Sequence, residues 1–316
     1  MEGLIKYIFS LDFIVAVLRM STPLLFVAMA AVIGAKADIL CIAFEGMMLF
    51  AALGGVMGSA WTQSLIGGLL CAVFCGCAIA FLFGYFVLYM NTKPMLIGLA
   101  LNILGSGGTI FLLYIVTGSK ANSLALPSLV FPKLNIPFLQ DIPVLGQLLS
   151  GHNVLTYVAV ASVFFVNWLV FKTRLGLRIR AVGESPSAAE SVGINVLRTK
   201  LIAVMISGVL ASVGGAFMSM GYISSFSRDM VAGRGFIGIA AQNLGRGNPI
   251  LTLFCTLLFG AAEAIGNMSQ SYRMPSQFAS MLPYIVTILG LVLMNIKRKQ
   301  KTVESDDQQN QEDERK

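Results

Sequence analysis

The sequence predicts an all-α fold, a polytopic membrane helix bundle of about eight or nine transmembrane segments with interrupted helices. Of the 316 residues, 56% are hydrophobic and 12% are charged, whereas a soluble domain carries about 25% charged residues. The mean hydropathy is +0.80. Apolar runs recur along the chain, and most of them approach the roughly 20 residues that cross a bilayer. These observations predict a protein that spans the membrane many times.

Nine apolar runs are candidate spans. They cover residues 22–35, 39–60, 65–90, 95–117, 154–171, 201–222, 236–244, 250–267 and 278–296. The amphipathic residues 4–18 are expected to lie on the membrane surface before the first span. The run over residues 236–244 is too short for a straight helix to cross the bilayer, since a crossing takes roughly 20 residues.

Two of these runs are interrupted by polar residues or glycine. Glu45 and Gly46 stand inside the second run, and Gly233 and Gly235 precede the short run over residues 236–244. Interrupted helices are tolerated at membrane depth only where they are buried in protein or line a cavity. One such segment in each half of the chain indicates where a substrate would pass.

The polar stretch over residues 172–200 sets the orientation of the chain. Lys and Arg beside a span preferentially stay in the cytoplasm, and four of the first nine residues here are basic. These are Lys172, Arg174, Arg178 and Arg180. With this stretch inside and the spans alternating, 15 of the 22 basic residues lie inside, and Arg234 is among the seven outside. Residues 1–300 then form one transmembrane domain, and residues 301–316, rich in Asp, Glu and Gln, form a disordered cytoplasmic tail.

A short helix is predicted inside this cytoplasmic stretch. Serine followed by proline is typical of a helix N-terminus, because serine caps the first turn and proline fits the first helical position. Glycine is typical of the residue at which a helix stops. The residues concerned are Ser185, Pro186, Ala188, Ala189, Glu190 and Gly193. From these residues alone, the stretch is either a solvated connector or an element with a function of its own.

Polar and aromatic side chains within the apolar runs are candidates for lining a substrate path. An ionisable group costs about 2.5–3.5 kcal/mol near the bilayer centre on insertion scales, so it marks a functional site or an internal pairing. The candidates are Phe44, Glu45, Asn102, Gln242, Asn243 and Glu263. Amides offer both donors and acceptors to the hydroxyls of a ribose or the edge of a base. An aromatic ring can stack on a base.

Each candidate also has a purely structural explanation. Glu45 can accept hydrogen bonds from backbone amides freed by the break at Gly46, and Glu263 can pack against neighbours such as Asn267. The amides are equally common as hydrogen-bonding groups between packed helices. Phenylalanine is frequent in any membrane helix.

Missing motifs exclude or disfavour several function classes. No GxxxxGK[ST] phosphate loop is present, so the chain is not expected to bind and hydrolyse ATP. There is no Ser-His-Asp arrangement and no metal-spaced cluster, and His152 is the only histidine. We therefore expect no catalytic residue, cofactor or metal site. The net charge of +7 comes from basic residues at span ends, without a motif that reads nucleic acid, so no nucleic acid partner is expected.

Three stretches resemble the permease subunits of bacterial ABC importers for nucleosides and simple sugars, in the superfamily of branched-chain amino acid and ribose-type permeases. They are ADILCIAFEGMMLFAALGG at residues 37–55, GESPSAAESVGINVLRTKLIAVMISGVLASVGGAF at 183–217 and GRGFIGIAAQNLGRGNP at 233–249. The resemblance runs from about residue 23 to about residue 296. The segment IAFEGMML favours the nucleoside branch. The chain departs from the family at Lys36-Ala37-Asp38, where Arg-Ser-Gly is usual, and at Cys41, where Asn is usual.

This resemblance implies a set of partners. A separate cytoplasmic ABC ATPase would hydrolyse ATP, and the short helix at residues 186–192 would dock into it and transmit its motion. A second, homologous permease chain would complete the pore as a heterodimer, and an extracytoplasmic substrate-binding lipoprotein would deliver the small-molecule substrate across the cytoplasmic membrane. The proline-rich outer loop over residues 118–153 is either a contact for that lipoprotein or a loop folded over the spans.

A competing hypothesis is an ion-coupled secondary transporter that uses Glu45 and Glu263 as proton or sodium sites. Such a carrier would stop when an uncoupler is added at constant ATP, whereas an importer would depend on its ATPase. A membrane scaffold without transport is disfavoured by the two interrupted segments, because a scaffold has no need of breaks at membrane depth.

Overall fold

The computed structural model describes residues 10–126, 128–134, 151–221 and 223–271, together with residues 281 and 285. Within these residues the chain forms ten continuous helices and one two-stranded ribbon. The helices are α1 (Leu11–Lys36), α2 (Phe44–Thr62), α3 (Leu65–Leu88), α4 (Pro94–Thr117), α5 (Val154–Lys172), α6 (Arg174–Glu184), α7 (Pro186–Ser191), α8 (Val196–Met220), α9 (Arg234–Leu244) and α10 (Pro249–Ser271). The strands are β1 (Lys133–Leu134) and β2 (His152–Asn153), paired antiparallel.

Seven of the described helices are long and apolar enough to cross a membrane, namely α1 to α5, α8 and α10. The predicted all-α membrane bundle is therefore confirmed. The count of eight or nine segments stays a prediction, because the run over residues 278–296 lies almost entirely outside the described residues. The run over residues 236–244 belongs to α9, whose 11 residues reach about 16 Å, roughly half of the hydrocarbon thickness.

The first helix corrects the prediction of a separate surface segment. Residues 11–18 belong to α1, which runs unbroken for 26 residues from a cap at Ser10, whose hydroxyl accepts the Phe13 N–H. No residue between 18 and 22 breaks the helix, and Pro23 is accommodated inside it. At about 39 Å, α1 exceeds the roughly 30 Å hydrocarbon core of a bilayer, so it must tilt or emerge from it.

Helices α1 and α2 form the centre of the bundle. Of the apolar window of α2, 78% is buried inside the protein, against 28% for α3 and 33% for α4. Helix α8 packs on both central helices, with the Ser207 hydroxyl donating to the Ala30 carbonyl of α1 and the Ser219 hydroxyl donating to the Ala52 carbonyl of α2, each at 2.8 Å. The two central helices are thus held together by a third.

The polar stretch over residues 172–200 contains two short helices where the sequence predicted one. The predicted short helix is confirmed as α7: Ser185 is its N-cap, Pro186 its first residue, and Gly193 has a φ of +82°. Helix α6 is the addition. It buries Gly176, Ile179 and Val182 at three-residue spacing, a periodicity that a helix places on one face.

The described part of the outer loop folds over the ends of the spans. The Asn153 amide donates to the Phe131 carbonyl at 3.0 Å and to the Gly221 carbonyl at 2.6 Å. The Phe226 N–H donates to the Ser123 hydroxyl at 2.7 Å. These bonds join the loop before α5 to the segment after α8.

Candidate functional site

The two interrupted segments meet through Glu45. This residue lies in the first turn of α2, and its carboxylate accepts the N–H of Gly233 at Oε1 and of Gly235 at Oε2, both at 2.8 Å. Helix α9 has no N-terminal side-chain cap of its own, and a negative charge is stabilising at a helix N-terminus. Glu45 therefore caps α9 from another helix. The amides it binds are those of α9, whereas the sequence suggested those at the break beside Gly46.

Glycine is required where α9 begins. Gly233 adopts a φ of +82°, which other residues rarely occupy. A Cβ on Gly235 would lie 2.6 Å from the backbone nitrogen of Glu45 and 2.7 Å from its Oε2. The first turn of α9 thus touches the first turn of α2 directly.

Asn102 spans the break before α2 from the neighbouring helix α4. Its Oδ1 accepts the Gly46 N–H at 2.8 Å, and its Nδ2 donates to the Ile42 carbonyl at 2.9 Å. The backbones pack closely here, since a Cβ on Gly105 would lie 2.6 Å from the Gly46 Cα. One amide thereby satisfies a donor and an acceptor that the interruption leaves without helical partners.

Glu263 on α10 forms an ion pair with Arg234 in the first turn of α9. The two side chains are only 12% and 16% exposed, and the arginine also donates to the carbonyls of Met230 and Val231 at 3.1 Å. This corrects two expectations. Arg234 is the first residue of α9 and pairs inside the protein with a residue of α10, where a basic residue at the outer end of a span was expected. The partner of Glu263 is Arg234 and not Asn267.

A cavity of about 210 Å³ lies beside these contacts, between the C-terminal end of α1, the non-helical segment 37–43, the start of α2 and helix α9. Phe44, Gln242 and Asn243 line it, together with the carboxylate-bearing Asp38. Gln242 is 8% exposed and Phe44 only 1%, while Asn243 is exposed. The lining thus combines amide donors and acceptors, one carboxylate and one largely buried aromatic residue.

The structure therefore brings the six predicted path residues into one region but gives them different surroundings. Phe44, Gln242 and Asn243 line the cavity, whereas Glu45, Asn102 and Glu263 bind protein groups that hold α2 and α9 in place. Sequence reasoning missed Asp38 and Arg234. The clue to Arg234 was its place between two glycines immediately before an apolar run, which puts its charge at the start of a helix.

The residues of the predicted coupling helix divide by exposure. Ala189 is only 3% exposed, whereas Pro186, Ala188, Glu190 and Gly193 face solvent. The Ser185 hydroxyl accepts the Ala188 N–H at 3.3 Å. Val192, just beyond α7, is 75% exposed.

A close contact links α6, the helix before α7, to the cavity. A Cβ on Gly183, in the last turn of α6, would collide with the carbonyl of Lys36 at the end of α1. Lys36 immediately precedes the non-helical segment that lines the cavity. The end of α6 therefore contacts the residue that comes immediately before the cavity wall.

Comparison with known proteins gives consistent matches. Residues 13–291 match the family described as "Branched-chain amino acid transport system / permease component". The chain is 33% identical to the guanosine ABC transporter permease protein NupQ of Bacillus subtilis, over 87% of this chain and 89% of that one. It is 32% identical to the nucleoside ABC transporter permease protein NupC of Lactococcus lactis, over 90% and 92%.

A solved structure shares the fold. It is described as an inward-facing conformation of a putative metal-chelate type ABC transporter, with a TM-score of 0.51 and 19% identity, over 88% of this chain and 84% of that one. The resemblance to nucleoside and sugar ABC permeases is confirmed by the family match and by both relatives. The protein is a multi-pass protein of the plasma membrane, and it belongs to the permease-component family of branched-chain amino acid transport systems.

Proposed function

We propose that this chain is the membrane subunit of an ATP-driven importer and that it translocates nucleosides or related simple sugars into the cytoplasm. The observation that carries the substrate class is the cavity lined by Phe44, Gln242 and Asn243. A nucleoside is uncharged and has hydroxyls, base edges and an aromatic face. Amides match its hydrogen-bonding groups without the cost of a buried charge. The two relatives named for guanosine and nucleosides support the same class.

In this proposal, ATP hydrolysis by a separate cytoplasmic ATPase that binds α7 supplies the energy for transport. The exposed Ala188 and Glu190 and the apolar Val192 provide a surface for that contact. Motion would pass from α7 to α6 and, through the contact between Gly183 and Lys36, to the cavity wall. A second, homologous permease chain and an extracytoplasmic substrate-binding lipoprotein complete the transporter, as the family resemblance implies.

Helix α8 gives a second connection between the proposed motor and the centre of the bundle. It follows α7 after four residues and hydrogen-bonds to both α1 and α2. Tilting of α8 would therefore move both central helices. A rigid helix that spans the distance between two sites is a physical means of carrying such coupling.

Uptake of labelled guanosine tests the substrate assignment. Asn243→Ala removes an exposed amide from the cavity, and we expect the substrate concentration for half-maximal uptake to rise about tenfold, as for the loss of one or two hydrogen bonds. Asn267→Ala is the matched control, because Asn267 is an exposed asparagine on α10 outside the cavity. Equal uptake curves for both variants would contradict the assignment of the cavity.

The ion-coupled alternative is not favoured, because both of its carboxylates are occupied by protein groups. Glu45 accepts two backbone N–H groups and Glu263 pairs with Arg234. An ion site would need these bonds to break in every cycle. Uptake that persists in the presence of an uncoupler at constant ATP supports the importer, and uptake that stops favours the carrier.

A further inference from the structure

Two cations share one aromatic ring at the cytoplasmic end of the bundle. The Lys36 Nζ lies 5.9 Å from the centroid of the Phe171 ring, and the Arg180 Cζ lies 5.4 Å from the same centroid. These residues come from the end of α1, the end of α5 and the middle of α6. Three helices thus converge on one site, which is separate from the cavity that Gln242 and Asn243 line.

Neither cation is neutralised by the part of the protein that the structure describes. The one ion pair there joins Arg234 to Glu263, so no described carboxylate pairs with Lys36 or Arg180. The Nε of Arg180 is buried with no hydrogen-bond acceptor in reach. A single ring offers about 0.5–2 kcal/mol to a cation, and two like charges held around it repel each other.

The position of the two cations indicates which kind of anion would bind them. Phe171 is 38% exposed, and Trp168, one turn earlier on α5, is 57% exposed. Aromatic residues at the end of a span mark the interface between hydrocarbon and headgroups, and Lys172 follows Phe171 at the helix end. Basic pockets between helices on the cytoplasmic side suit the phosphate of an anionic lipid.

We propose that Lys36, Arg180 and the exposed edge of Phe171 form a binding site for the headgroup phosphate of an anionic phospholipid in the inner leaflet. The terminal nitrogens of Arg180 and the ammonium of Lys36 donate to the phosphate oxygens. The acyl chains lie along the exposed apolar face of α5. The site ties α6, which adjoins α7, to both the membrane and the end of α1.

Lipid titration of the purified full-length chain tests the site, with thermal unfolding in detergent or native mass spectrometry as the readout. We expect phosphatidylglycerol to bind more tightly than phosphatidylcholine with the same acyl chains. Lys36→Gln and Arg180→Gln should each weaken phosphatidylglycerol binding about fivefold, as expected for one basic residue near an anionic surface. Arg178→Gln is the matched control, because Arg178 is an exposed arginine on the same helix.

If Arg178→Gln weakens phosphatidylglycerol binding as much as Arg180→Gln does, the lipid is attracted to basic residues in general and the proposal is wrong. Equal binding of the two lipids would also overturn it, because the site would then not distinguish an anionic headgroup from a zwitterionic one. Inorganic phosphate forms a further arm. If millimolar phosphate displaces phosphatidylglycerol and stabilises the chain as strongly, the site takes a free anion and the lipid assignment is wrong. If Arg180→Gln fails to fold, Arg180→Lys takes its place, because lysine keeps the charge but loses the planar donors. Phosphatidylglycerol binding by Arg180→Lys and Lys36→Gln then tests the site with the same readout.

Discussion

Glu45 is a carboxylate at membrane depth that holds the first turn of another helix. It accepts two backbone N–H groups from Gly233 and Gly235, and hydrogen bonds to a charged group contribute about 1.5–3 kcal/mol each. Glu45→Gln keeps one acceptor oxygen but replaces the other by a donor that faces an N–H. We expect the free energy of unfolding to fall by about 2 kcal/mol, seen as a lower Tm in detergent.

Glu184→Gln is the control for this change, because Glu184 is an exposed glutamate of α6. It should leave Tm unchanged. If both variants unfold at the same temperature, Glu45 does not anchor α9.

A methyl group at Gly235 tests the same contact from the other side. Gly235→Ala places a Cβ against the backbone and carboxylate of Glu45, so the two helix starts must separate. We expect lower Tm and loss of uptake. Gly107→Ala on α4 is the matched control, because nothing lies within 4 Å of its Cβ and alanine favours a helix over glycine by up to about 1 kcal/mol. A Tm that falls no further for Gly235→Ala than for Gly107→Ala would contradict the close approach.

The importance of some of these residues could be predicted from the sequence, but their contacts could not. Glu45 and Glu263 could be predicted as important, because a carboxylate in an apolar run needs a partner. Their partners could not be predicted, because Gly233 lies 188 positions from Glu45 and only the packing of α9 against α2 brings them together. Asn102 was identified for a similar reason, but its role in bridging the break before α2, between Ile42 and Gly46, depends on the register of α4 against α2.

Helix α9 is a short element held at its start by two carboxylates from two different helices. Glu45 binds its backbone, and Glu263 binds the side chain of its first residue, Arg234. Breaking a largely buried ion pair from one side leaves an uncompensated charge, whereas removing both partners leaves none. The ion pair can therefore be examined by a double-mutant cycle.

We expect Arg234→Met to lower the free energy of unfolding by about 3 kcal/mol, and Glu263→Leu by a similar amount. The double variant should cost clearly less than the sum of the two, because neither charge is left alone. Thermal unfolding of the four proteins in one detergent measures this. Additive losses would show that the two residues act independently.

The structure shows which residue of α7 is suited to a test of its coupling role. Both Ala188 and Ala189 were candidate coupling residues, but Ala189 is 3% exposed, so a bulky residue there would disturb packing. Ala188→Arg changes only an exposed position, and we expect it to abolish uptake while the protein still inserts and keeps its Tm. Ala125→Arg, at an exposed alanine of the outer loop, should retain uptake. Normal uptake by the Ala188 variant would remove α7 from the coupling route.

Elements with strong local signals could be predicted, and those that depend on context could not. The Ser-Pro start and Gly193 stop define α7 within a few residues. Helix α6 was missed because its buried face consists of Gly176, Ile179 and Val182, which is too weak a pattern beside four basic residues. The start of α2 at Phe44 was also missed, because the apolar residues 39–42 fit a helix but are non-helical in the structure, and residues 39–41 line the cavity.

For the bundle as a unit, composition predicted the all-α membrane fold, which the described helices confirm, and charge predicts the orientation, which stays a prediction. Seven described helices can span a membrane, and the basic residues of α6 and of the segments that flank α6 and α7 predict a cytoplasmic position for these helices. The charge rule failed for Arg234, because that residue is paired inside the protein and is not held by water at a membrane surface. Pairing of that kind depends on tertiary packing and has no local sequence signal.

We propose that an ATPase on the cytoplasmic side moves this chain through α7. The most direct measurement is labelling of Ser187→Cys, at an exposed position of α7, with a membrane-impermeant thiol reagent, in a background whose five native cysteines are replaced by serine or alanine. We expect labelling in inside-out vesicles only, and slower labelling when the ATPase subunit is bound, because the bound ATPase would cover α7. Labelling from the outer surface of intact cells would contradict it.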